Sequence, residues 1–478
     1  MSADWLHGSE TIQIENGARP VKTVKSAVIG LIGIAPMGPV NQATSVTSET
    51  KAAQFGAEKA GFTIPQALRA IYDHGAGTVI VINVLDPDKH KASVSDEAVA
   101  FSATTQSVQL KHPLVSSVIV KNNDSNTTYV QNQDYVLEPQ SGMLTRKSGG
   151  SIGVSDSLKV SYSWTDPSKV TSADIIGGID AAGKRIGMKL LADSYSLFGF
   201  DAKILIAPVF CTQNSVTTEL VAMAEKMGAM SYIDAPVGTT FEQVITGRGP
   251  AGTINFNTAS RRVRPCYPHV LVYDKETNSN RLEPLSSRAA GLRAKVDLDK
   301  GFWWSSSNQA IQGIVGLERP LTARIDDASS EVNQLNEKGI TTVFNSYGTG
   351  FLLWGNRSAA FPTDTSMKGF ECVLRTGDMV DESLRFFSQQ FMDRPIDQAL
   401  IDALTDSVNG YGRKLIGDGA VLGFKCWFDP ARNDKTELAN GHLLLSYKFT
   451  PPPPMERLTL ESEITSEYLL TLKSGGNS

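Results

Sequence analysis

Few residues in this chain have the type and spacing to do chemistry. Gly178-Ile-Asp-Ala-Ala-Gly183-Lys184 fits the first seven positions of a phosphate-binding loop. The eighth is Arg185, where Mg²⁺ coordination needs Ser or Thr, and no buried strand precedes it. Residues 172–192 instead read as one helix, with apolar spacing in Ile175, Ile179, Ile186 and Leu190 and with Lys184 and Arg185 solvated. Nucleotide binding is therefore not expected. The histidines (His7, His74, His90, His112, His269, His442) are scattered, and none sits in a His-x-x-x-His frame, so no metal site is expected. No Gly-x-Ser-x-Gly elbow occurs. A Ser/His/Asp triad can draw its members from anywhere in a chain, and no local sequence around a serine or histidine points to one. The cysteines (Cys211, Cys266, Cys372, Cys426) lie far apart and read as buried free thiols in a reducing compartment. Arg261-Arg-Val-Arg264 is the densest basic run and reads as a solvated edge or ion-pair site, with an intersubunit contact as the competing reading. Arg413 and Lys414 end a predicted helix, where the dipole favours cations, and the pair is a candidate surface for a coaxial partner.

The elements that must position these residues are clearer than the chemistry. With 478 residues, 41% hydrophobic and 20% charged, the chain can build two or three domains with real cores. A net charge of −5 gives no general bias toward nucleic acid or an anionic membrane. The first residues show no basic run followed by an apolar one, so no signal peptide is expected, and the apolar run 28–34 is too short to span a bilayer. A soluble protein made in a cytoplasm is expected.

Residues 11–15 alternate as a strand with Ile12 and Ile14 on one face, and Gly17 and Pro20 cut it from the next strand, 28–34. Thr63 is positioned to cap a helix whose face carries Ile64, Leu68, Ile71 and Tyr72. The run 78–84 has the continuous apolar character of a buried strand. From about 94 to 169 the chain turns Ser-, Thr- and Asn-rich with short β runs, and is expected to be an all-β insertion on the outer surface. Strand 203–208, helix 216–227 and strand 230–235 form a β-α-β unit with parallel strands, and helices are expected at 285–296 and 326–338. The runs 340–344 and 351–354 flank Asn345-Ser-Tyr-Gly-Thr-Gly350 as a hairpin, with Trp354 expected in the core. Two striped helices follow, one through Val380, Leu384, Phe387 and Phe391, the other through Leu400, Leu404, Val408, Tyr411 and Leu415, then strands 421–428 and 442–449. Beyond the stiff Pro451-Pro-Pro-Pro454, Leu458, Leu460, Leu470 and Leu472 have strand spacing with no domain left to hold them.

The Asn345…Gly348-Thr-Gly350…Trp354-Gly-Asn-Arg357 segment resembles one in contractile phage tail sheath proteins. Trp5-Leu-His-Gly8, residues 19–26, Gly30-Leu-Ile-Gly-Ile-Ala-Pro36, Ser196-Leu-Phe-Gly-Phe200, residues 204–208, Phe302-Trp-Trp-Ser-Ser-Ser-Asn308 and the 442–472 tail are similar to that family in the same order. The resemblance covers nearly the whole chain except the β insertion. It implies an α/β plus α+β protein: a three-layer subtilisin-like α/β domain (26–93 and 170–338) carrying the insertion (94–169), a C-terminal core domain (339–450), and strand arms (1–25 and 451–478). It implies a structural protein without catalysis or cofactor, polymerising around a tail tube and contracting to drive the tube through the host envelope. The partners so implied are further copies, the tail tube protein, and baseplate and tail terminator proteins, in a virion tail assembled in the host cytoplasm, with no nucleic acid and no membrane insertion. The competing reading is a soluble α/β hydrolase or NTPase with tethered termini.

Overall fold

In a computed structural model, which describes residues 20–75, 77–249, 251–275 and 277–469, Val28–Gly33 (β1) lies inside a six-stranded sheet. The other strands are Thr44–Val46 (β2), Thr78–Asn83 (β3), Ile204–Ile206 (β4), Met230–Asp234 (β5) and Val263–Cys266 (β6), in the order β6-β5-β4-β1-β3-β2. All pairs are parallel except β2 with β3. Ile29 stands opposite both Val79 and Ile204, which sets the register at the centre. Both faces of the sheet are buried, which is why its strands read as unbroken apolar runs. Side chains alternate between two cores: Val28 and Ile32 pack into one, Ile29 and Leu31 into the other.

Helix Thr63–Tyr72 (α1) and helix Leu285–Asp299 (α3) pack together over one face, and helix Asn214–Met227 (α2) covers the other. Thr63 lies inside α1 and does not cap it; its hydroxyl accepts a hydrogen bond from the Ile34 amide at 3.1 Å. Gly291 is required where α3 crosses α1, since a Cβ there would come within 2.7 Å of the Ile71 backbone. The expected continuous helix over 172–192 is corrected. It stops at Ile176, gives way to a small hairpin pairing Gly178–Ile179 with Arg185–Ile186, and resumes as a 3₁₀ turn over Gly187–Asp193. Gly177, at φ 71°, forces the break, because a Cβ on it would overlap the Ile186 carbonyl. The helix expected over 326–338 is likewise shorter, Glu331–Glu337.

Residues 91–165 form two antiparallel sheets around a core of their own, including Val120, Leu144, Leu158 and Val160. Lys91 paired with Thr165 closes this unit, and Leu114 reaches out of it into the core of the body. The C-terminal third begins with the hairpin Thr342–Phe344 (β7) and Leu352–Trp354 (β8), in which Trp354 is half-buried and stacked on Phe344 at 4.6 Å. Helices Glu371–Ser388 (α4) and Gln398–Gly417 (α5) follow, then Gly423–Phe428 (β9) and Leu445–Thr450 (β10) as an isolated antiparallel pair.

Candidate assembly interface

The pair β9–β10 is the smallest sheet that can hold a register, and it owes its order to α5. Phe424 lies against Gly412 of α5, where any Cβ would collide with the ring. Asn409 of α5 closes part of the far edge of β9: its amide donates to the Cys426 carbonyl at 2.9 Å and its oxygen accepts from the Cys426 amide at 2.8 Å. On one face Phe424, Tyr447 and Phe449 stack with ring centroids 6.0–6.3 Å apart. Tyr447 donates to Asp381 of α4 at 2.7 Å, and burial, then the carboxylate, push its phenol upward. Beyond β10 stands no further strand of this chain among the described residues. A two-stranded sheet with an open edge is a template for pairing with another segment.

The arms meet this region differently. Residues 20–27 are not free: Val21 is buried with α4 and α5, Thr23 hydrogen-bonds Tyr411 of α5 at 3.1 Å, and the Val24 amide donates to Ser383 of α4 at 3.1 Å. The inner part of the expected 1–25 arm is thus a strap across two helices. Ile12 and Ile14 lie outside the described residues, as do Leu470 and Leu472. Leu458 and Leu460 are 65% and 82% exposed, and the strand expected there is not formed: 451–465 is chain without a ladder, and Tyr468 sits in a turn. The reason is physical, since among the described residues no strand pairs with them. Arg413 and Lys414 are exposed on the last turn of α5, and Lys414 pairs with Asp418 at 2.9 Å.

The arginine run expected at a solvated edge or ion-pair site partly changes character. Arg261 pairs with Asp364, Arg262 with Asp378 and Glu225, but Arg264, on β6, is fully buried. Arg264 pairs with Glu371 at the start of α4, and Tyr232 of β5 donates to the same carboxylate. Burial opposes the Glu371 charge, yet Arg264, Arg293 and Arg375 outweigh it and hold the carboxyl below its ordinary range. Arg375 of α4 pairs with Asp297 of α3 and donates to the Lys203 and Ser26 carbonyls, while Lys203 pairs with Glu382. Arg248 donates to the carbonyls of Lys338, Phe256, Thr258, Ala359 and Phe361, and burial lowers it to about 10. The contacts of Arg264, Arg375 and Lys203 fasten α4 to the sheet layer, and those of Arg248 tie its loop to residues 338 and 359–361. Sequence reasoning missed them; the available signal was an arginine inside an apolar strand, Val263-Arg-Pro-Cys266.

The Gly178–Lys184 segment does not cradle an anion, because the Asp180 carboxylate already accepts from the Ala182 and Lys184 amides. Among the described residues no three His, Cys, Asp or Glu side chains gather as a metal-holding group, and no helix is long and apolar enough to cross a membrane. The four cysteines are buried and unpaired with one another.

Known proteins place this geometry. Residues 183–359 match the family described as phage tail sheath protein central domain, and 363–465 match the phage tail sheath C-terminal domain. Residues 86–173 match a family described only as a protein of unknown function. The tail sheath protein of Burkholderia phage BcepMu is 64% identical over 99% of this chain and its own full length. The tail sheath protein of Escherichia phage P2 is 31% identical over 64% of this chain and 74% of its own length. In fold, the chain is similar to the helical sheath of the anti-feeding prophage in its contracted state, with a TM-score of 0.60, 16% identity and coverage of 96% of this chain and 99% of that one. The sheath of an extracellular contractile injection system in the contracted state gives a TM-score of 0.59 at 14% identity, over 98% of this chain and 99% of that one. The reading as a hydrolase or NTPase finds no support in these relatives, and this mixed α/β chain belongs to the family of contractile phage tail sheath proteins.

Proposed function

We propose that copies of this chain polymerise into the contractile sheath of a phage tail and that the terminal arms join one copy to the next. The observation that carries the second half is the pairing of an unfilled need with an unfilled template. Leu458 and Leu460 are exposed on chain without a ladder, while β9–β10 stands as a two-stranded sheet with an open edge. A neighbour's arm laid along β10 satisfies backbone groups on both sides and buries apolar side chains worth roughly 1.5–3 kcal/mol each. Ile12 and Ile14 at one end, and Leu470 and Leu472 at the other, are assigned the same role on their strand spacing. Head-to-tail contacts that do not close produce an open helix.

The body then works as a three-layer subtilisin-like domain (26–93 and 170–338) fused to the core domain 339–450, with 94–169 as an outer decoration and 1–25 and 451–478 as arms. That likeness is one of layout and carries no reaction with it. Arg413 and Lys414 face the tail tube, and the polymer's ends meet baseplate and tail terminator proteins. Assembly takes place in the host cytoplasm, with neither cofactor nor catalysis; contraction releases energy held in the packing of copies. Negative-stain electron microscopy and size-exclusion chromatography of the purified chain test this reading. Hollow tubes or sleeves are expected, and a stable monomer at high concentration and moderate salt would sink it. Reversing the charge at Arg413 and Lys414 should leave self-assembly intact and weaken co-sedimentation with tail tubes; unchanged co-sedimentation removes the tube-facing assignment.

A further inference from the structure

The Trp354-Gly-Asn-Arg357 segment ends in a socket that the sheet and core do not explain. Residues 356–358 are stitched to 369–371 by two backbone bonds, Ser358 N to Gly369 O at 2.9 Å and Glu371 N to Asn356 O at 3.0 Å. This places Arg357 against the start of α4, one residue from Glu371 and its buried ion pairs. The guanidinium lies over Phe370 at 3.6 Å from the ring centroid and over Phe361 at 4.6 Å. It grips Glu456, beyond the prolines, in a two-pronged pair: Nε to Oε1 at 3.0 Å and Nη2 to Oε2 at 2.8 Å. Its Nη1 is buried without a hydrogen-bond partner. Pro451, at the foot of the same segment, is buried as well.

We propose that Arg357 is a positioning residue that clamps the root of the C-terminal arm, fixing it to the rigid body at Glu456 so that the arm swings from Arg457 and not from Pro451–Pro454. An exposed ion pair of ordinary geometry contributes little, because water screens it and two long side chains must be ordered. This one differs on both counts. The aromatic faces hold the planar fork before Glu456 arrives, and both carboxylate oxygens meet it. The arm beyond the clamp then begins at Arg457, each of its residues adding at most roughly 3.3–3.6 Å of reach. Its exit point is set by α4, the helix that the buried ion network ties to the sheet layer. The consequence for assembly rests on the reading of the arms as links; the clamp itself does not.

The experiment uses the full chain carrying Met455→Cys with a nitroxide spin label, an exposed position between the prolines and Glu456, the four native cysteines being buried. Electron paramagnetic resonance of the unassembled protein resolves restrained from free label. With the clamp intact the restrained component dominates. Glu456→Gln and Arg357→Gln should each lower the restrained-to-free ratio by about tenfold, the factor that losing a charge-assisted hydrogen-bonded pair corresponds to. Arg357→Lys, which keeps the charge and loses the fork, should fall between. Arg357→Gln disturbs a packed site and is checked by circular dichroism; Glu456→Gln lies on the arm and leaves the core untouched. An unchanged ratio in Glu456→Gln overturns the clamp, whatever the tubes do. Normal tubes both from a chain ending at Pro454 and from one lacking residues 1–16 would overturn the arm-link reading without touching the ratio measured in the full chain, so the two failures are distinguishable.

Discussion

The six-stranded sheet and the two-stranded sheet were made by the same chain under opposite rules. In the first, both faces are covered, and the β6 end is continued by a bridge from Cys266 to Thr341. In the second, one strand edge is partly closed by Asn409 and no strand of the described residues pairs with the other. Buried charge follows the same division. Arg264, Arg293, Arg375, Asp297 and Glu371 are all sunk where the body is complete, whereas exposed apolar residues collect at Met455, Leu458, Leu460 and Ile464, where it is not. On the proposed reading of the arms as links, a protein that travels as a rigid piece and yet stays joined needs one region that does not yield and one that a neighbour completes.

Four changes would break or sharpen this contrast, taken from the largest effect downward. Ending the chain at Pro454, or removing residues 1–16, should abolish polymers altogether and leave the body folded. Electron microscopy reads the first and thermal melting the second; normal tubes from both truncations would refute the arm-link reading. Loss of folding would show that the arms pair within their own copy. Next comes Glu371→Gln, which strands the Arg264 charge inside the body. A loss of about 3–5 kcal/mol is expected by urea denaturation of unassembled protein. A cost under about 1 kcal/mol would mean that the network is not what fastens α4 to the sheet.

The third concerns pH. His74, at the end of α1, contacts the Ala70 carbonyl at 2.9 Å through Nδ1 and accepts from the Gln312 amide at 3.2 Å through Nε2, the bonding of a neutral ring. Burial, partly offset by the Ala70 carbonyl, lowers it from 6.5 to about 4. Between those values the unfolded chain takes up a proton that the folded one refuses. Its contribution is therefore complete above pH 6.5 and falls away toward pH 4, by about 3 kcal/mol at most. His74→Gln should flatten the body's stability profile in that window, and an unchanged slope would assign the acid sensitivity elsewhere. Smallest is replacement of residues 91–165 by a short Gly/Ser bridge. The insertion keeps its own core, so the body should lose only the packing of Leu114, about 1–2 kcal/mol, and should still assemble. An insoluble or unfolded product by circular dichroism would make the insertion part of the body.

What was legible in the sequence follows the same contrast. Residues 28–33, 78–83 and 204–206 announce themselves because a strand buried on both faces is apolar throughout. The stripes on α4 and α5 are plain because each helix buries one side. Strand Lys91–Ala100 was missed, being largely exposed at the edge of its sheet and polar along most of its length. The helix through 172–192 was overextended because apolar spacing says nothing of a glycine forced to φ 71°. The buried arginines were misjudged because their partners, such as Glu371 for Arg264, come from distant parts of the chain. Nor does any local pattern tie Arg357 to Glu456. The strand spacing of Leu458 and Leu460 is visible, yet no strand of the described residues pairs with them.

The strap at 20–27 also decides how the body bears load. It runs straight into β1, which is hydrogen-bonded on both sides, to β3 across six registered pairs and to β4 across three. Tension arriving from the N-terminal end therefore pulls β1 along its own axis. The two ladders resist in shear, all their bonds sharing the load at once, and are not peeled one bond at a time as an edge strand pulled sideways would be. The chain enters its body at a mechanically strong point, so a tug between neighbouring copies should move the whole subunit before it unravels any part of it.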